Sequence, residues 1–150
     1  AREAEGFLTV IPSANVATGL AAAIYFRANA EVDEIVDDMT SALAGVRCIE
    51  VSTSVRDATV DGVAVQNGEA IALVDGRMHG TAATHDEALI EALASGVAEG
   101  ASLVTVYLGI DADAGTGTRI ERRIADTFPT IEVEVLPGGQ PHYVYIASVE

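Results

Sequence analysis

Three dipeptides within sixteen residues, Asp61-Gly62, Asn67-Gly68 and Asp75-Gly76, narrow the choice of fold more than anything else in this chain. Asp-Gly and Asn-Gly pairs readily adopt the positive φ angles of two-residue hairpin turns, whose twist matches that of the strands they join. They divide the middle of the sequence into residues 63–66, 69–74 and 77–82, and so predict a β-meander. Just before it the hydrophobic period changes to two. From Cys48 onward, Ile49, Val51, Thr53 and Val55 alternate with Glu50, Ser52, Ser54 and Arg56, as in a strand with one buried face.

The flanks read differently. Residues 7–11 form a short apolar run that Pro12 stops, and it is predicted as a buried strand. Ser13 and Asn15 are good N-cap types for the helix that follows, in which Val16, Leu20, Ala23 and Ile24 fall on one stripe. Val32, Ile35, Val36, Met39 and Leu43 repeat that spacing in a second helix, with Gly45 placed to end it as C′. Thr84-His85-Asp86-Glu87 is a capping box opening a third helix, with Leu89, Ile90, Leu93 and Val97 inward. A β-branched strand over 103–108, a helix over 118–128 with Ile120 and Ile124 inward, an alternating strand at Ile131, Val133 and Val135, and a last strand over 143–149 complete the pattern. A strand-helix-strand unit favours parallel pairing. The expectation is an α/β fold with a mixed sheet, a β-meander and about four helices.

At 150 residues the chain fits one domain, 1–150, large enough to bury its own core. Its 23 acidic and 8 basic residues give a formal charge of −15. Such a surface repels phosphate backbones, so nucleic acid is excluded as a partner. No run reaches the roughly 18 apolar residues of a membrane span. Cys48 is the single cysteine, and its apolar setting predicts a buried, unreactive thiol in a reducing compartment, hence a cytoplasmic location. Ala-Arg-Glu-Ala-Glu-Gly at the start is no signal peptide and carries no initiating methionine, which reads as a fragment of a longer multidomain chain.

Candidate chemistry falls away on inspection. Asp111 and Asp113 have the spacing of a calcium loop, but Gly115 and Arg122 stand where further ligands belong, so helix capping is the better reading. Gly115-Thr116-Gly117-Thr118 at a helix start lacks the Gly-Lys-Ser/Thr of a phosphate loop. His79, His85 and His142 have no second ligand at metal spacing and no nucleophile elbow. No catalytic or metal residue is therefore assigned. Two candidates for partner contact remain. Arg56, adjacent to Asp57 but pointing to the opposite strand face, pairs with a distant carboxylate either as a structural fastener or as a partner contact. The segment Pro137-Gly138-Gly139-Gln140-Pro141-His142-Tyr143 is either a plain turn or a recognition loop stiffened by its prolines.

Ile11-Pro12-Ser13, Gly19-Leu20-Ala21-Ala22, Val55-Arg56-Asp57, Leu73-Val74-Asp75-Gly76, Tyr107-Leu108-Gly109 and Gly138-Gly139-Gln140-Pro141-His142-Tyr143 together resemble the C-terminal region of the bacterial fatty-acid kinase catalytic chain. Such proteins are also described as Dak phosphatases or dihydroxyacetone-kinase-like DhaL fusions. The resemblance implies a parent with an N-terminal kinase domain that uses ATP and magnesium, neither of which this chain would bind. It implies a C-terminal part related to DegV-type fatty-acid-binding proteins and to the DegV/Dak fold. Its role would be to dock the acyl-loaded DegV-type partner, with Arg56, Asp57, Gly138, Gly139, Gln140, Pro141, His142 and Tyr143 as contacts. Upstream domains of the same chain and a homodimer are further expected partners. A DegV-like fatty-acid or small-lipid binder is the alternative, and an enzyme acting through His142 with Asp57 or Glu150 is a third.

Overall fold

The computed structural model describes residues 8–97 and 100–150. Helices α1 (Val16–Ile24) and α2 (Val32–Leu43) come first. Strands β1 (Arg47–Thr53), β2 (Ala58–Val60), β3 (Val63–Val65), β4 (Ala70–Val74) and β5 (Arg77–Ala82) follow. Then come α3 (His85–Val97), β6 (Leu103–Leu108), α4 (Thr116–Thr127), β7 (Glu132–Pro137) and β8 (Tyr143–Val149). Six strands form one sheet in the order β5-β4-β1-β8-β6-β7, parallel only between β6 and β7, which α4 connects. The fold is thus α/β with a mixed sheet and four helices, as expected.

The turn pairs form as their chemistry demands. Asp61 and Gly62 have φ of 51° and 85°, and Asp75 and Gly76 have 52° and 75°, so both central residues of each turn are left-handed. The meander, however, is divided. β2 and β3 make a separate two-stranded ribbon, while β4 and β5 join the main sheet. Side chains tie the ribbon down: Asp61 accepts from the Met78 N–H at 2.8 Å, and Asp57 accepts from the Asn67 N–H at 2.8 Å. The first of these bonds also occupies an edge-strand donor that would otherwise be open to a foreign strand.

The main core lies between one sheet face and helices α3 and α4. Ile49 and Val51 of β1, Val104 and Val106 of β6, and Tyr145 and Ala147 of β8 meet Leu89, Leu93, Ile120 and Ile124 there. Alternation along β1 and β8 sends Cys48 and Ile146 to the opposite face, where they pack on Ala17 of α1. Burial, reinforced by the charges of Glu50 and Asp75, pushes the Cys48 thiol up to about 12, which makes it inert.

Two expectations fail at the N-terminal side. Residues 8–11 form no strand: they are extended without a partner, Leu8 and Val10 are exposed, and Ser13 N–H turns back onto the Ile11 carbonyl at 2.8 Å. A strand is defined by its neighbour, and none lies alongside. Phe7, the first residue of that expected strand, is outside the described residues. Helix α1 starts where expected, with Asn15 Oδ1 accepting from Thr18 N–H at 2.9 Å and Thr18 closing the reciprocal box, but its face is reversed. Ala17, Thr18, Ala21 and Ala22 point inward, and Val16, Leu20, Ala23 and Ile24 point out. Cys48 and Ile146 already fill the sheet surface beneath, so only small side chains allow the helix backbone to approach it. Helix α2 then rests against α1, and none of its residues is fully buried.

Candidate functional site

The largest cavity, about 600 Å³, opens where β1 and β6 end, β8 begins and the N-termini of α3 and α4 converge. Asp86, in the first turn of α3, is its centre. Tyr145 Oη donates to Asp86 Oδ1 at 2.6 Å, Arg119 Nε of α4 donates to Oδ2 at 3.0 Å, and the Arg123 guanidinium lies 4.0 Å away. Burial works to raise the acid's pKa, but these hydrogen bonds and positive charges outweigh it and hold Asp86 below the usual carboxylate range. Burial and then Asp86 drive the Tyr145 phenol up, and Asp86 raises Arg119. The network therefore stays ionised at Asp86 and Arg119 with Tyr145 neutral.

The rest of the wall is equally polar. Thr53 Oγ1 and His85 Nε2 are 2.7 Å apart. Asp113 accepts from Gly115 N–H at 2.9 Å and from Thr116 Oγ1 at 2.8 Å, and those bonds lower its pKa. The capping role expected of this acid is the one it plays. Among the described residues no three His, Cys, Asp or Glu side chains converge as a metal site. Glu87, Asp111 and Asp113 give the cavity a carboxylate rim around the two arginines.

The 137–143 segment is pinned at both ends. Gly138 and Gly139 N–H both donate to the Leu108 carbonyl at 2.9 Å, Gln140 Nε2 donates to the Tyr107 carbonyl at 2.8 Å, and the Gln140 carbonyl accepts from Ile110 N–H at 3.0 Å. His142 has φ of 72°, and Tyr143 N–H donates to the Pro141 carbonyl at 2.9 Å, the bonding pattern of a γ-turn centred on His142. Ser52 Oγ fixes that turn by donating to the His142 carbonyl at 2.7 Å. A left-handed histidine costs energy and persists only where its surroundings hold it. Gly109 lets this happen, because a Cβ there would sit 2.2 Å from the Tyr143 carbonyl oxygen.

The expected contact residues are thereby separated. His142 and Tyr143 enter the cavity wall, but Arg56, Asp57 and Pro141 are outside it. Gly138 and Gln140 line a different groove of about 370 Å³ with Val16, Leu20, Tyr107 and Ile146, and Gly139 lines a third depression beside α4. Arg56 makes no ion pair among the described residues, so the fastener role is not seen there. Asp57 is committed to the Asn67 N–H, and Glu150 follows the end of β8 whose start adjoins His142, so neither forms a catalytic pair with that histidine. Asp86, Arg119, Arg123 and Tyr145 were not foreseen. Asp86 is 33 residues from Arg119 and 59 from Tyr145, and no local pattern links such positions.

The architecture is that of DegV family proteins. A DegV family protein of Corynebacterium glutamicum superposes with a TM-score of 0.56 at 17% identity, over 89% of this chain and 58% of that one. A DegV family protein of Thermus thermophilus, described for its fatty acid binding, gives a TM-score of 0.51 at 14% identity, over 87% and 55% of the two chains. These identities establish a shared fold. The chain belongs to the FakA-like C-terminal family, that of the C-terminal domain of fatty acid kinase, which it matches over residues 1–150. Protein YloV of Bacillus subtilis is 31% identical over 94% of this chain, and an uncharacterized protein of Staphylococcus haemolyticus is 29% identical over 97%. This chain spans 26% of the length of each of these curated relatives.

Proposed function

We propose that this domain is the non-catalytic C-terminal module of a fatty-acid kinase, which docks an acyl-loaded DegV-type protein so that a kinase domain elsewhere in the parent chain, using ATP and magnesium, acts on the acyl carboxylate. The observation that carries this reading is the character of the main cavity. Binding a fatty acid draws on about 0.8 kcal/mol for each buried CH₂, and walls made of Asp86, Glu87, Asp111, His85, His142 and Arg119 offer no such burial. They suit a polar protein contact. Family membership supports the kinase setting, and the absence of a membrane-length helix among the described residues is compatible with the expected cytoplasmic location.

The carboxylate rim and the charge of −15 favour a partner whose facing surface carries Lys or Arg. Asp111 is the residue to test, being exposed on the rim. Asp111→Lys in the parent chain should weaken binding of the DegV-type protein about tenfold or more, since opposed like charges in an interface cost several kcal/mol. Unchanged affinity would remove the cavity rim from the interface.

The likeness to a DegV protein described for its fatty acid binding supports a second reading, in which this domain itself retains a small lipid site. Native mass spectrometry decides it. A fatty-acid-sized adduct on the purified protein supports the lipid binder, and a bare mass after gentle purification supports docking.

A further inference from the structure

Eight of the twelve large apolar side chains exposed among the described residues lie between Leu8 and Val32. Val16, Leu20 and Ile24 form the outward stripe of α1 and are 57%, 44% and 80% exposed, and Tyr25 and Phe26 extend it past the helix end. Apolar residues scattered singly over a surface need no explanation, but a contiguous patch marks a contact. We infer that in the whole protein this stripe is covered by a part of the same polypeptide upstream of Leu8, and that α1 is therefore the joint by which the module is mounted on its parent. The inference rests on the reading of the chain as a module of a longer kinase.

Three observations select this occupant. The family is described as C-terminal, and the curated relatives devote only 26% of their length to the matching region, so in such a protein most of the polypeptide precedes it. Residues 8–15 lead directly into α1, and a segment tethered so closely to the stripe reaches an effective concentration on the order of millimolar. A second copy is disfavoured by charge. Helix α2, packed alongside α1, carries Asp33, Glu34, Asp37 and Asp38, and a two-fold contact through this face would set that acidic row against its own copy. The acyl-carrying partner is assigned elsewhere, to the cavity beside α3 and α4, which pack on the opposite face of the sheet from α1.

A photo-crosslinking amino acid, Leu20→benzoylphenylalanine, introduced into the full-length parent chain tests the inference. Isotopically labelled and unlabelled chains are mixed before irradiation, with and without the DegV-type protein. The expected product joins position 20 to a residue upstream of Leu8 in its own chain, with no exchange of label and no change when the partner is added. A crosslink between labelled and unlabelled copies, a crosslink to the DegV-type protein, or no crosslink at all overturns it. Failure of the docking proposal would leave this result untouched, because the crosslink forms without the partner.

Discussion

Asp86 gains from its place at a helix N-terminus, but its weight in the fold comes from Tyr145 and Arg119, which two other elements bring to it. Asp86→Ala leaves the buried Tyr145 hydroxyl without its acceptor and should cost about 2–3 kcal/mol in urea unfolding, as expected for lost charge-assisted hydrogen bonds. Tyr145→Phe removes donor and need together and should cost less, about 1 kcal/mol. The pH dependence has a defined sign. The folded pKa of Asp86 lies below its ordinary 3.8, so its contribution is complete above that value and is lost as pH falls through the folded pKa. The stability gap between the protein and Asp86→Asn should close on acidification. Glu50 behaves in the opposite way, because burial raises it from 4.5 and its charged form is disfavoured in the fold. Glu50→Gln should melt higher than the unsubstituted protein at pH 7, with the difference vanishing below 4.5. Gly109 allows no side chain, and Gly109→Ala should cost at least about 3 kcal/mol or prevent folding, as forced overpacking does at its worst.

Helix α1 shows what a periodic pattern can and cannot specify. The spacing of Val16, Leu20 and Ile24 and the cap at Asn15 were legible in the sequence, and the helix forms there. Which stripe faces inward was not legible, because it depends on Cys48 and Ile146 beneath it, more than 30 residues away in the chain. Ala17→Leu should therefore destabilise the protein by about 1–3 kcal/mol, whereas Leu20→Ser should stay within about 0.5 kcal/mol. Equal effects in chemical denaturation would contradict the orientation of α1. The hairpin turns were legible because Asp-Gly chemistry is local, while the separation of β2 and β3 from the main sheet turns on long-range pairing. The candidate site divided along the same line. His142 and Tyr143 were reachable from the sequence because a Pro- and Gly-rich loop advertises itself, but Asp86 shows in the sequence only as a helix-capping acid.

The whole molecule is a DegV-like fold with two unlike surfaces: an ionic cavity at one end of the sheet, and an apolar helix stripe on the sheet's other face. Long-range electrostatics tie the first of these to function. A surface carrying −15 accelerates encounter with a basic partner, and the association should weaken as salt shortens the screening length to roughly 8 Å at physiological ionic strength. Docking would then lower the kinase barrier by placing the acyl carboxylate, an effect worth roughly 7–11 kcal/mol in the best intramolecular cases. Calorimetric titration of the domain with an acyl-loaded DegV-type protein, at low and moderate salt, tests the central claim most directly. The account predicts saturable binding that weakens with salt and is lost in Asp111→Lys. A folded domain that takes up no partner at either salt concentration would contradict it.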